Sequence, residues 1–152
     1  MKYFNEDLIM TGLPAESSDE VINSLVGKMA DKGYVTPDYA LEVTEREKKH
    51  PTGLPTQEVK VAIPHAGADN VIKPGVALAV LKKPVVFCNM ENPDQDLDVS
   101  IVFLLANKDS GDQLKDLQSL TGLFADPSIL QRVVKSGSAK EIAELLNQRL
   151  SN

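Results

Sequence analysis

Apolar positions along the chain switch between two periods. Val21, Ile22, Leu25, Val26 and Met29 recur on one helical stripe. They follow Ser17-Ser18-Asp19-Glu20, a capping box in which Ser17 reaches forward and Glu20 reaches back. Gly33 is placed to end that helix as a left-handed cap. Thr36-Pro37 predicts a second helix, with threonine as its cap and proline in its first turn. It must stop near His50, because Pro51 disfavours helical backbone in the residue before it. The period then falls to two: Val59, Val61 and Ile63 alternate with Lys60 and Ala62. Residues 76–80, 85–90 and 97–106 are further strand candidates, and residues 3–10 a short one. In the last strand Leu97, Val99, Ile101, Phe103 and Leu105 share one face. Val102 and Leu104 make the other face apolar too, which predicts a central strand covered on both sides.

The C-terminal third returns to helical spacing. Leu114, Leu117, Leu120 and Phe124 form a stripe after Ser110-Gly111-Asp112. Asp126-Pro127 opens a short helix carrying Ile129, Leu130, Val133 and Val134. Ser138 with Glu141 is a second capping box, ahead of Ile142, Leu145 and Leu146. The alternation predicts an α/β fold: a single-domain sandwich over residues 1–152, with a central mixed β-sheet flanked by helices on both faces.

Composition narrows the function classes. The 152 residues include 16 basic and 22 acidic side chains, a net charge of -6, and only 5% aromatics. No basic patch is present to neutralise phosphates, so nucleic acid is not an expected partner. An acidic surface suits a basic protein partner instead. Cys88 is the one cysteine; it lies in the apolar run from Pro84 and reads as a small buried hydrophobe. A single thiol fits a reducing compartment. The first seven residues lack the apolar core of a signal peptide, and no apolar run approaches a membrane span. A cytoplasmic protein without direct membrane insertion is expected, and the ends read as those of a free-standing polypeptide.

Candidate chemistry is sparse. Phosphate loops, dinucleotide fingerprints, metal-ligand clusters and nucleophile elbows are all missing from the sequence. The informative segment is Val59-Lys60-Val61-Ala62-Ile63-Pro64-His65-Ala66-Gly67. Pro64 lacks an N–H and ends the strand's ladder. His65 then sits just past the strand end, where loops of α/β sheets meet ligands. Ala66-Gly67 leaves room for a docking partner. A neutral imidazole is nucleophilic at physiological pH and can attack phosphorus directly. The N–H groups of a nearby helix N-terminus would hold the phosphoryl oxygens. A histidine at a strand end also serves as a structural hydrogen-bonding group, and the residues alone do not separate the two readings. His50 precedes Pro51 at a helix end and reads as a capping or surface residue.

The stretch from Gly53-Leu54-Pro55-Thr56-Gln57-Glu58 through Val59-Lys60-Val61-Ala62-Ile63-Pro64-His65 resembles the active-site signature of the fructose/mannitol class of phosphotransferase-system IIA domains. The helices ahead of it, Pro84-Val85-Val86-Phe87 and the C-terminal pattern are similar to that family as well. The resemblance implies that His65 accepts a phosphoryl group on Nε2 from phosphorylated HPr. It then passes the group to a IIB component, usually onto a cysteine, which phosphorylates sugar imported through membrane-bound IIC. No nucleotide, metal or other cofactor is implied. Arg46 aligns with an arginine that family members place near the active site, and its guanidinium suits a phosphoryl group; a solvated helix face is the plain alternative. Gln113 stands where mannitol-type and nitrogen-regulatory members carry a second histidine; it can donate a hydrogen bond but cannot be cationic. That glutamine, with Pro51-Thr52-Gly53, resembles the galactitol type most. A regulatory IIA-like module, signalling its phosphorylation state by protein binding, is the alternative. A purely structural α/β domain is a third reading. An exposed His65 beside a helix N-terminus favours transfer, and a buried, fully paired ring favours the structural reading.

Overall fold

The computed structural model describes residues 3–151. Five strands form one mixed sheet in the order β1-β4-β5-β3-β2. They are β1 (Ile9–Leu13), β2 (Gly53–Leu54), β3 (Lys60–Ala62), β4 (Gly75–Cys88) and β5 (Asp96–Ala106). β1 is parallel to β4, β4 antiparallel to β5, β5 parallel to β3, and β3 antiparallel to β2. β5 is therefore central, as its doubly apolar pattern predicts. The helices are α1 (Ser18–Asp31), α2 (Tyr39–Lys49), α3 (Ser110–Phe124), α4 (Pro127–Lys135) and α5 (Ala139–Ser151).

Two cores lie on opposite faces of the sheet. α1 and α2 cover one, packing Val21, Leu25, Met29, Tyr39 and Val43 on Ala77, Ala79, Val102 and Leu104. α3, α4 and α5 cover the other, packing Leu120, Leu130 and Ile142 over Leu78, Ile101 and Phe103. The face assignment read from strict alternation fails at one place. Ile101, Phe103 and Leu105 face α3–α5, but Leu97 and Val99 face α1 and α2. The cause is an extra residue in β5: Lys60 pairs with Val99 and Val61 with Ile101, leaving Ser100 without a partner in β3. Such a bulge shifts the strand by one residue and turns every later side chain to the other face. On the other side, β4 accommodates it between Val80 and Val85, which merges two predicted strands into one of 14 residues.

Helix ends follow the sequence closely, with exceptions. Ser17 Oγ accepts the Glu20 N–H at 3.2 Å, but the Glu20 carboxylate accepts from Glu16 N–H at 2.8 Å rather than from Ser17. Gly33, at φ 82°, closes α1: its N–H donates to Ala30 O and that of Tyr34 to Met29 O, both orphan carbonyls of the last turn. The second helix starts later than predicted. Thr36 spends its hydroxyl on Asn70 Oδ1 at 2.8 Å, and Asp38 takes the cap position without a side-chain bond. Residues 6–8 form a short 3-10 turn before β1, in place of the first half of the predicted strand. Asp126 caps α4 with Pro127 in its first turn, and Ser138 Oγ accepts from Glu141 N–H at the start of α5. Leu114 departs from its stripe, lying 57% exposed in the first turn of α3. Cys88 is half-buried at the end of β4 rather than in the core.

Candidate active site

β3 and β5 run parallel, so both deliver their C-terminal ends to one edge of the sheet. His65 lies three residues past β3 at that edge, and α3 begins there after β5. Pro64 cannot donate, but its carbonyl still accepts the Leu105 N–H at 3.1 Å, which ties the segment to β5. On the other side of His65, the Ala66 N–H donates to Tyr39 Oη at 3.1 Å, and Tyr39 donates its hydroxyl proton to Leu105 O at 2.7 Å. Burial pushes the Tyr39 phenol up to about 12, so it stays protonated and bridges both groups. Farther along the loop, Asn70 donates to Glu42 Oε1 at 3.2 Å, so the first turn of α2 and this loop are joined twice. His65 is thus anchored by backbone bonds before and after it.

The imidazole is only 7% exposed. Its Nδ1 lies 2.8 Å from Ile63 O. A carbonyl can only accept, so Nδ1 carries the proton, and in the neutral ring Nε2 keeps its lone pair. Among the described residues Nε2 has no hydrogen-bond partner, and it is not one of the buried polar atoms sealed from solvent. The ring is therefore buried but half paired, a combination between the two outcomes expected from sequence. Burial lowers the His65 pKa, the Ile63 carbonyl opposes this, and the positive charge of Arg46 lowers it further. The net shift is downward, so the ring is held neutral at physiological pH, the nucleophilic form.

Arg46 is exposed in the last turn of α2, and no carboxylate pairs with it among the described residues. Its charge acts on His65, Glu47 and Tyr39. Gln113 is half-exposed in the first turn of α3, its N–H bonded to Asp109 O. No bond joins it to His65. The helix N-terminus expected to hold oxygens is partly occupied: Asp109 Oδ1 already accepts the Gly111 and Asp112 N–H groups at 2.7 and 3.3 Å. His50 caps the C-terminal end of α2 and is exposed. No group of three His, Cys, Asp or Glu side chains is placed to hold a metal among the described residues, and no helix there is long and apolar enough to cross a membrane. Leu41, Ile72 and Leu114 are exposed, on the N-terminal parts of α2 and α3 and on the loop between β3 and β4 that carries His65.

Two features escape sequence inspection. Tyr39 is the bridge described above. Glu47 belongs to the run Glu45-Arg46-Glu47-Lys48, which reads as a solvated face, yet it is 8% exposed. The available signal is helical spacing: Tyr39, Val43 and Glu47 lie four residues apart on the buried stripe of α2.

Residues 2–149 match the family model of the phosphoenolpyruvate-dependent sugar phosphotransferase system, EIIA 2. The transcriptional regulator ManR of Bacillus subtilis is 33% identical over 130 residues, 84% of this chain but 18% of the regulator. The galactitol-specific EIIA component of Escherichia coli K12 is 27% identical over 126 residues, covering 83% of each protein. Among solved structures, the complex of mannitol enzyme IIA with phosphorylated enzyme IIB from Escherichia coli superposes with a TM-score of 0.80. It is 28% identical and covers 96% of this chain and 98% of that one. The chain spans about a fifth of the length of the longer curated relatives it matches, ManR and the mannitol-specific EIICBA components. With the mixed sheet, the flanking helices and the histidine at the strand end already in place, these matches give one conclusion: the chain belongs to the EIIA type 2 family of the phosphoenolpyruvate-dependent sugar phosphotransferase system.

Proposed function

We propose that this protein is a phosphocarrier that accepts a phosphoryl group on Nε2 of His65 from phosphorylated HPr and passes it to a IIB component serving a membrane-bound IIC. The observation that carries the reading is the Nδ1–H···O=C bond to Ile63, which leaves Nε2 as the one ring nitrogen with a lone pair toward solvent. The Nε2 lone pair attacks phosphorus; the phosphorus–nitrogen bond to the HPr histidine breaks, and its electron pair stays on the HPr ring. The His65 ring becomes cationic as it is phosphorylated, and the Ile63 carbonyl supports that charge through Nδ1–H. Arg46, exposed and without an ion pair among the described residues, is the group available to neutralise the phosphoryl oxygens. Gln113 is proposed as an uncharged donor to the same oxygens once a partner docks. Nothing in this step calls for a nucleotide or a metal. The chain works in the cytoplasm under this reading.

The sugar is proposed to be galactitol-like, on Gln113 and Pro51-Thr52-Gly53 and on the similarity to a galactitol-specific EIIA component along most of both chains. The similarity to ManR favours a second reading, a regulatory module whose phosphorylation state is read by a protein partner. Both begin with phosphoryl uptake by His65. Incubation with phosphoenolpyruvate, enzyme I and HPr, followed by intact mass, tests that shared step: one acid-labile phosphoryl group is expected, absent in His65→Ala. No gain, with HPr itself phosphorylated, would refute both. Loss of the label on adding a IIB protein then favours the carrier; a stable label favours the regulator.

A further inference from the structure

Behind His65 runs a line of hydrogen bonds that ends on a buried acid. His65 Nδ1–H donates to Ile63 O at 2.8 Å. The Ile63 N–H donates to Thr52 O at 3.3 Å. Thr52, only 2% exposed, is held by Glu47 through both carboxylate oxygens: Oε2 accepts its N–H and Oε1 its hydroxyl, each at 2.8 Å. The residue after Thr52 is fixed from the opposite direction. A Cβ at Gly53 would lie 2.5 Å from Cys88 O, and the Gly53 carbonyl accepts the Met90 N–H at 2.8 Å. The segment 52–54 is therefore wedged between the end of β4 and the carboxylate on α2, with Ile63 hanging from it.

A carboxylate is a costly group to bury against a hydroxyl and an amide, and among the described residues no ion pair offsets it. An apolar side chain would fill the same space against the core at lower cost. What an apolar residue cannot do is hold Thr52 through two hydrogen bonds. We propose that Glu47 is a positioning residue for phosphoryl transfer: by gripping Thr52 it fixes the Ile63 carbonyl, which keeps His65 in the Nδ1–H tautomer with Nε2 free. The transfer part rests on His65 being the phosphoryl acceptor; the tautomer part stands without it.

The test compares Glu47→Leu, which removes both acceptors at similar volume, with Glu47→Gln. The glutamine keeps a carbonyl for the Thr52 N–H and an NH2 that donates to the Thr52 hydroxyl. Two-bond 1H–15N spectra of histidine-labelled protein read the tautomer with no phosphoryl donor present. Wild type and Glu47→Gln are expected to show Nδ1–H alone. Glu47→Leu is expected to show a mixed population, with phosphoryl uptake from HPr slowed about three- to tenfold, the loss a broken hydrogen bond implies. Thr52→Ala, which removes one grip and keeps the backbone, is expected to shift the tautomer in the same direction by less; it decides the question should Glu47→Leu not fold. A single Nδ1–H tautomer and full uptake rate in the variants that lose the grip would reduce Glu47 to a structural cap. Failure of wild type to take up phosphate would instead sink the acceptor role of His65 and leave the tautomer result intact.

Discussion

Glu47 titrates where proteins are usually studied, and this gives a prediction that needs no partner protein. Burial pushes its carboxyl from 4.5 up to about 7; the Thr52 N–H and hydroxyl, and the charge of Arg46, oppose the shift without cancelling it. The folded state thus binds this proton more tightly than the unfolded state does. The stabilising contribution is complete below pH 4.5 and is lost as pH rises through 7. Across that window the cost of ionising Glu47 reaches about 3 kcal/mol, a large share of the stability of an ordinary domain. Glu47→Gln carries no proton to lose, so its stability relative to wild type should climb with pH. Between pH 5 and pH 8 the difference should grow by about 2 kcal/mol in favour of glutamine. Urea unfolding of both proteins at four pH values measures it, as a relative midpoint shift of about 1 M. A difference that stays flat, or grows toward low pH, would refute the buried, proton-binding carboxyl described here.

Three further outcomes follow from the same geometry. Tyr39→Phe removes the hydroxyl between Leu105 O and Ala66 N–H, leaving two buried backbone groups unpaired; unfolding should show a loss of about 1–3 kcal/mol, and a loss near zero would mean water replaces the bridge. Deleting Ser100 removes the bulge and turns Leu97 and Val99 away from α1 and α2; loss of the dispersed amide spectrum is expected, whereas a native-like spectrum would contradict the register. The C2 proton shift of His65 should titrate below 6.5, and Arg46→Ala should raise that midpoint because a neighbouring cation is removed; a midpoint unmoved by the substitution would separate Arg46 from the site.

Much of this fold is legible in the sequence because its helices and central strand carry strong periodic patterns. Ser17, Gly33, Asp126 and Ser138 mark helix ends through local bonds that depend on few other residues. The failures share a cause: a distant partner decides them. Thr36 has a cap's chemistry but bonds Asn70. β2 spans two residues and is made by distant partners, its pairing with β3 and the bridge from Gly53 to Asn89. Leu97 and Val99 change faces because Ser100 is extra relative to β3, and no alternation rule contains that. At the site, His65 is visible from its strand-end position, whereas the grip of Glu47 on Thr52 is hidden inside a run of charges. Arg46 stands exposed and its charge reaches His65; Gln113 makes no bond to it.

In the proposed carrier, Nε2 of His65 holds the phosphoryl group while Nδ1 keeps its proton. The most direct measurement is the 15N spectrum of histidine-labelled protein after phosphorylation by phosphoenolpyruvate, enzyme I and HPr. One modified ring is expected, that of His65, with phosphorus coupled to Nε2 and Nδ1 still protonated against Ile63 O. Phosphorus on Nδ1, on His50, or on no histidine at all while HPr is phosphorylated would contradict it.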